Sequence, residues 1–242
     1  MKNRLTDDHV SSKGDCGYSD LALGKRISKG TNLPKIYLAF DNLQHSLSAF
    51  IEYNPTLVEP EDLQFFKFLL QNTFSSNSFI FGAGAEDWCD KFLFDPEALD
   101  WMVNRIEYFK EGSKKNLGKD SWESEFLVPK GFINKLRLKV REVEAAHWGF
   151  RDDLRKTFLE TFEAEIEKTD SLNLEPSRLH EKLKKYLVVR QRFNHQGSFL
   201  NKLSSYFFFL GFYEQTKTGA EFNTWISRAP KLSEFIDLNR DD

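Results

Sequence analysis

The residues best suited to chemistry lie near the N-terminus. Lys13-Gly14-Asp15-Cys16-Gly17-Tyr18-Ser19-Asp20-Leu21 sets two glycines around an acid, with hydroxyls after them, and Gly24-Lys25-Arg26-Ile27-Ser28-Lys29 adds a cluster of cations. Glycine lets backbone N–H groups approach phosphate oxygens, and lysine neutralises their charge. Residues 12–29 therefore read as a phosphate- or nucleotide-binding loop. It is not a Walker A sequence: the spacing from glycine to lysine is too long, and Arg26 follows Lys25 where Ser or Thr is needed. Gly82-Ala83-Gly84 lacks the third glycine of a dinucleotide fingerprint, because Asp87 stands there. The histidines show no metal-ligand spacing. His147 falls on an apolar seam and reads as a buried structural residue, and His45 reads as a solvated helix residue. On their own, Lys25, Arg26 and Lys29 are more often the cations of a solvated loop, and Asp41 and Arg141 more often ordinary helix-surface or interhelical ion-pair residues.

The loop must be held by helices. Ile36, Phe40, Leu43, Leu47 and Phe50 recur at helical spacing after Pro34 and stop at Asn54-Pro55. Glu59-Pro60-Glu61-Asp62 opens a second helix carrying Leu63, Phe66, Leu69 and Leu70, and the Ser/Asn/Gly-rich stretch 75–84 is expected to break the chain. Asp95-Pro96-Glu97 starts a third helix, with Lys110 to Asp120 expected as a loop. Ile133, Leu136, Val140, Val143, His147, Phe150 and Leu154 form the clearest seam, which can run on through Phe158 and Phe162 towards Lys168. Asp170 to Pro176 reads as a loop. A charged helix around Leu179, Leu183 and Leu187 follows, interrupted at Asn194-His195-Gln196-Gly197 before a last helix with Phe199, Leu203, Tyr206, Phe207 and Leu210.

The expected fold is an all-α, antiparallel five-helix bundle preceded by a nucleotide loop. A single domain over 1–242 is expected: loop 12–29, bundle 34–218, and a tail 219–242 docking through Trp225, Phe235 and Ile236. Composition agrees, with only 13 Gly and 7 Pro against 24 Phe in 242 residues. A net charge of −3 argues against nucleic acid as the main partner. Two cysteines without metal spacing, no bilayer-length apolar run and no apolar leader in MKNRLTDDHV make a cytoplasmic, non-membrane protein the expectation.

Separated segments match one family in the right order. Gly14-Asp15-x-Gly17-Tyr18-Ser19-x-Leu21 with Lys25-Arg26-Ile27-Ser28-Lys29 resembles the T-G-D-x-G-T-T and R-V-S-K loop of ATP:cob(I)alamin adenosyltransferases of the propanediol-utilisation type. Phe40-Asp41-Asn42-Leu43-Gln44 is similar to the family's V-D-E-L-N, and Leu70-Gln71-Asn72-Thr73-Phe74 to I-Q-x-x-L-F. Phe126-Leu127-Val128-Pro129-Lys130-Gly131 with Arg141-Glu142-Val143-Glu144-Ala145 resembles F-x-L-P-G-G and R-R-A-E-R, and Leu200-Asn201-Lys202-Leu203-Ser204-Ser205-Tyr206-Phe207 resembles L-N-R-L-S-D-Y-L-F.

The resemblance implies a five-helix bundle, usually a trimer with sites between subunits, that moves the 5′-deoxyadenosyl group of ATP to reduced cobalamin with Mg²⁺ and release of triphosphate. It implies that Ser12, Lys13, Gly14, Asp15, Gly17, Ser19 and Lys29 hold the triphosphate and its metal. Asp41 would pair with Arg141 on the polyphosphate, with Glu144 and Asn201 at the nucleotide and Phe126 near the corrin. The pattern departs at Ala145, where the family has a second arginine, and at Ser205, where it has an aspartate. Loss of an electrostatic donor of that kind commonly costs about 10²–10³ in rate. Arg137, one turn on the other side of Arg141, is the nearest substitute. The alternative reading is an impaired homologue that keeps the bundle as an ATP- or corrinoid-binding or assembly protein.

Overall fold

The chain is represented by a computed structural model that describes residues 18–20, 26–28, 30–81, 95–118, 127–172, 177–220 and 222–224. Five long helices carry the fold: α1 (Asn32–Tyr53), α2 (Pro60–Phe81), α3 (Pro96–Leu117), α4 (Gly131–Leu172) and α5 (Ser177–Thr218). Two short antiparallel ladders accompany them. Strand β1 (Tyr18–Asp20) pairs with β2 (Arg26–Ser28), and β3 (Leu127–Val128) pairs with β4 (Asn223–Thr224). The expected five-helix bundle is the observed architecture.

Local signals set most helix ends. In α1 the chain stops before Pro55, whose ring disfavours helical geometry at Asn54, and the Asn54 N–H closes on the Phe50 carbonyl. Helix α3 begins with the Asp95 carboxylate accepting the Glu97 N–H at 3.0 Å and Pro96 in the first turn. It ends with Lys114 and Lys115 in the last turn and Gly118 at φ 62°, a left-handed cap suited to glycine.

Among the described residues, helix runs through three stretches where breaks are expected. Helix α2 continues from Ser75 to Phe81, α3 covers Lys110 to Leu117, and α5 runs without interruption through Asn194–Gly197. Helix α4 likewise reaches Leu172, past the expected loop start at Asp170. Two of these segments contain a glycine whose purpose is packing. A Cβ on Gly112 would lie 2.5 Å from the Tyr213 ring, and one on Gly197 would lie 2.3 Å from Trp148. Both glycines let an aromatic ring settle against helix backbone, and this contact outweighs glycine's helix penalty of about 1 kcal/mol. In 75–81 no Gly or Pro precedes position 82, and Ser and Asn alone are weak breakers.

Helix α1 packs on α4 and α2, while α5 packs on α4 and α3. The α1/α4 pair is antiparallel: Asn32 Nδ2 donates to the Gly149 carbonyl at 3.2 Å, and Phe50 meets Phe132 at the other end with ring centroids 5.7 Å apart. The α4/α5 pair is antiparallel as well, fixed by His147 against Phe193 and by the Lys130 N–H on Gln215 at 2.8 Å. The core between these layers is rich in rings, with Phe40, Phe50, Phe66, Phe109, Phe199, Tyr206 and Phe207 fully buried. Phe222 packs on Phe212 at 4.6 Å between centroids, so the start of the tail returns to the bundle. Trp225, Phe235 and Ile236 lie outside the described residues.

One buried polar cluster ties α2, α3 and α5 together. Arg105 forms a fork on Asp62, Nε to Oδ1 at 3.0 Å and Nη2 to Oδ2 at 2.7 Å, and also donates to Glu59. Tyr206 donates to Asp62 at 2.7 Å, and Tyr213 and Tyr108 each donate to Glu59 at 3.1 Å. Burial opposes the Arg105 charge, but the hydrogen bonds to Asp62 and Glu59 more than offset it and hold the guanidinium above its ordinary range.

His147 is fully buried, as its place on the seam requires. Its Nε2–H donates to the Phe193 carbonyl at 2.8 Å, while Nδ1 has no hydrogen-bond partner among the described residues. Burial lowers its pKa to about 4 from 6.5, and the Arg151 charge adds to this, against the raising effect of the Phe193 bond. The unfolded chain therefore binds the extra proton first as pH falls below 6.5, and stability drops until about pH 4.

Between pH 7 and pH 5, urea denaturation should show about 2 kcal/mol less stability from this group. His147→Gln, which keeps a donor for Phe193 but does not titrate, should lose that part of the acid sensitivity. Gly197→Ala should destabilise by about 1–3 kcal/mol, read as a lower thermal midpoint, because Trp148 must move.

Candidate functional site

Helices α4 and α5 bring three of the expected site residues together. Arg141 Nη1 donates to Glu144 Oε2 at 2.8 Å, and Asn201 Nδ2 donates to Glu144 Oε1 at 3.1 Å. Arg141 and Glu144 are one turn apart on α4, and α5 delivers Asn201 because its antiparallel register with α4 sets residue 201 opposite 144. The exposures differ sharply: the Arg141 side chain is 55% exposed and that of Glu144 only 9%. Glu144 thus serves as a buried anchor, each carboxylate oxygen taken by one neighbour. Arg141 has no other partner among the described residues, so its outer N–H groups face solvent as a planar donor set.

Asp41 enters from α1. Counting inward from Asn32 at Gly149 and from Phe50 at Phe132, Asp41 falls level with Arg141 on the antiparallel pair, at an exposed position. One turn earlier, burial and then the Asp41 charge push the Tyr37 hydroxyl well above its usual range. Four expected features therefore share one level of the bundle: an acid on α1, a guanidinium and its carboxylate anchor on α4, and an amide on α5.

A second guanidinium lies beside the first. Arg137 is half-buried, one turn before Arg141, with its guanidinium carbon 5.2 Å from the centre of the Phe208 ring and Nη1 donating to Asn134 at 3.2 Å. Burial, and then the Arg141 charge, lower its pKa, and no carboxylate neutralises it among the described residues. Two cations held close on one helix face favour a bound polyanion. Ala145, where the resemblance places the second arginine, is exposed and brings no charge. Among the described residues, Ser205 reaches only the Asn201 carbonyl, at 3.4 Å.

From the N-terminal region, the antiparallel β1/β2 ladder is described, in which Ser19 pairs with Ile27 between Tyr18↔Ser28 and Asp20↔Arg26. The chain then enters α1 beside Gly149 and Asp153, eight residues or about 12 Å along α4 from Arg141. Ser12, Lys13, Gly14, Asp15, Gly17, Lys29 and Phe126 lie outside the described residues, as do the side-chain contacts of Ser19. Among the described residues, no group of His, Cys, Asp or Glu is placed to hold a metal ion. No described helix is long and apolar enough to cross a membrane.

Little in the sequence points to the Arg105–Asp62–Glu59 cluster. Asp62 reads as a first-turn acid that complements the α2 dipole, and only its spacing to Phe65, Phe66 and Leu69 marks it as inward-facing.

The bundle matches the fold of PduO-type ATP:corrinoid adenosyltransferases. Two of the solved structures it matches are single-residue variants of the Lactobacillus reuteri enzyme complexed with cobalamin and ATP. One superposes with a TM-score of 0.55 at 13% identity over 90% of this chain and 96% of that one. The other gives a TM-score of 0.54 at 13% identity, over 90% and 98%. No protein-family model and no curated protein sequence matches the chain.

If Glu144 presents Arg141 to an anion, inorganic triphosphate should bind the protein. Glu144→Gln should weaken that binding about tenfold in calorimetry, the loss of one charge-assisted bond, with helix content unchanged.

Proposed function

We propose that the chain is a divergent ATP:corrinoid adenosyltransferase that transfers the 5′-deoxyadenosyl group of ATP to reduced cobalamin and releases triphosphate. The observation that carries this reading is the Arg141–Glu144–Asn201 constellation, open to solvent on one side, on a bundle with the adenosyltransferase fold. In this reading Arg141, held by Glu144, level with Asp41 on α1 and supplemented by Arg137, takes the polyphosphate, and Asn201 fixes the nucleotide. Ser12, Lys13, Gly14, Asp15, Gly17, Ser19 and Lys29 wrap the phosphates, and Mg²⁺ enters on the phosphate oxygens. Phe126 lies against the corrin, where an apolar group excludes water from the metal's lower face.

The reaction asks little covalent chemistry of the protein. The cobalt(I) electron pair forms the bond to C5′ while the C5′–O bond breaks, and that bond's pair leaves with the triphosphate. Charge grows on the leaving oxygens, so fixed cations aimed there lower the barrier. The family's trimeric arrangement, with sites between subunits, belongs to this proposal.

The exposed Ala145 supports a second reading, in which ATP binds and little is transferred. Purified protein, Mg-ATP and chemically reduced cobalamin should give the adenosylcobalamin spectrum. Absence of that product at high protein concentration would sink the transferase reading. ATP calorimetry then separates a binding protein from a pure scaffold. Arg141→Ala should reduce ATP affinity at least tenfold with the bundle intact, and unchanged affinity would count against this site.

A further inference from the structure

The outer halves of α4 and α5 take no part in the site above. Helix α1 begins beside Gly149 and Asp153, so the run of α4 from Leu154 to Leu172 extends about 27 Å past that level with α5 alongside. The two helices hold each other through an inner seam in which the Phe158 and Tyr186 rings stack with centroids 3.9 Å apart. A second apolar stripe flanks this seam. Leu159 and Ile166 lie about 90° round α4 from Phe158, and Leu183 and Leu187 about 80° round α5 from Tyr186. Because the helices are antiparallel, equal rotations turn both pairs to the same side of the hairpin. All four are open, at 42%, 38%, 38% and 49% exposure. Among the described residues, no third helix is laid along this face.

Charge identifies what covers it. From residue 159 to 172, α4 carries Glu160, Glu163, Glu165, Glu167 and Asp170 against Lys168 alone. From residue 177 to 193, α5 carries Arg178, Lys182, Lys184, Lys185, Arg190 and Arg192 against Glu181 alone. The hairpin is thus one acidic and one basic rod, and a second hairpin laid face to face complements it in one arrangement. With both tips pointing the same way, a two-fold axis along the hairpin sets acidic α4 over basic α5 of the other copy, antiparallel. The reversed arrangement sets acid on acid. The chain's own described tail pairs with Leu127–Val128 at the opposite end of α4, away from this face.

We propose that this hairpin is a self-association arm, joining two copies of the chain through a four-helix bundle with Leu159, Ile166, Leu183 and Leu187 at its centre. The arm acts whether each bundle stands alone or within a trimer, so its test is independent of the proposed activity. Light scattering on the full chain should give an even number of copies. Leu183→Ser with Leu187→Ser should halve the mass while circular dichroism stays unchanged. Glu160→Lys with Glu163→Lys should also halve it, as should Lys184→Glu with Arg190→Glu. Mixing those last two charge-reversed proteins should restore the wild-type mass. A wild-type mass that none of these variants changes would overturn the proposal, including the case of a strict monomer. Halving by the leucine pair without restoration on mixing would overturn the charge-selected arrangement.

Discussion

The fold turns on one interaction, the fork of Arg105 on Asp62. Asp62 is wholly buried and the Arg105 side chain is 10% exposed, so neither charge has much water to fall back on. Burying such a pair gains little by itself, but removing one partner leaves a desolvated charge worth about 3–5 kcal/mol of destabilisation. The pair also fixes geometry. Asp62 belongs to α2, Arg105 to α3, and Tyr206, which donates to Asp62, to α5. Three helices must therefore meet in one register, and α5 then presents a defined face to α4. A ring-rich core alone accepts several packings at similar energy, whereas a directional pair accepts one.

That register reaches the candidate site. With α5 fixed by Tyr206, Asn201 lies little more than a turn away and meets Glu144 on α4. Helix α4 is set in turn against α1 through Gly149 and Phe132, which brings Asp41 level with Arg141. The site is built at the surface from side chains whose roots are internal. Glu144 shows the pattern best, being buried, doubly bonded and holding an exposed guanidinium.

The sequence made the buried faces legible because helical spacing of apolar residues reports burial directly. Leu43, Leu47, Val140, Leu203 and Phe207 all lie where their spacing puts them. Helix ends at Asn54 and Asp95 were equally readable, since capping is local chemistry. Gly112 and Gly197 misled because a glycine in a helix and a glycine in a loop look alike until the ring packed on it is known. Asp62 was opaque for a related reason: a first-turn acid has a local explanation, and its true partner is 43 residues away. At the site, Arg141, Glu144 and Asn201 could be named from motif resemblance. That Glu144 bonds the other two, and that Arg137 stacks on Phe208, depends on inter-helix register, which no local pattern encodes.

The unbroken course of α4 and α5 has a mechanical consequence. Each is a 42-residue rod, and the same two rods carry Glu144 and Asn201 near one end and the charged hairpin at the other. Gly197 is seated under Trp148 between them, and neither helix is interrupted between the two ends. The spacing of the rods at the hairpin and the 3.1 Å contact that joins them at Asn201 are thus set by one and the same pair of helices, so a substitution that splays the pair at one end is to be checked at the other.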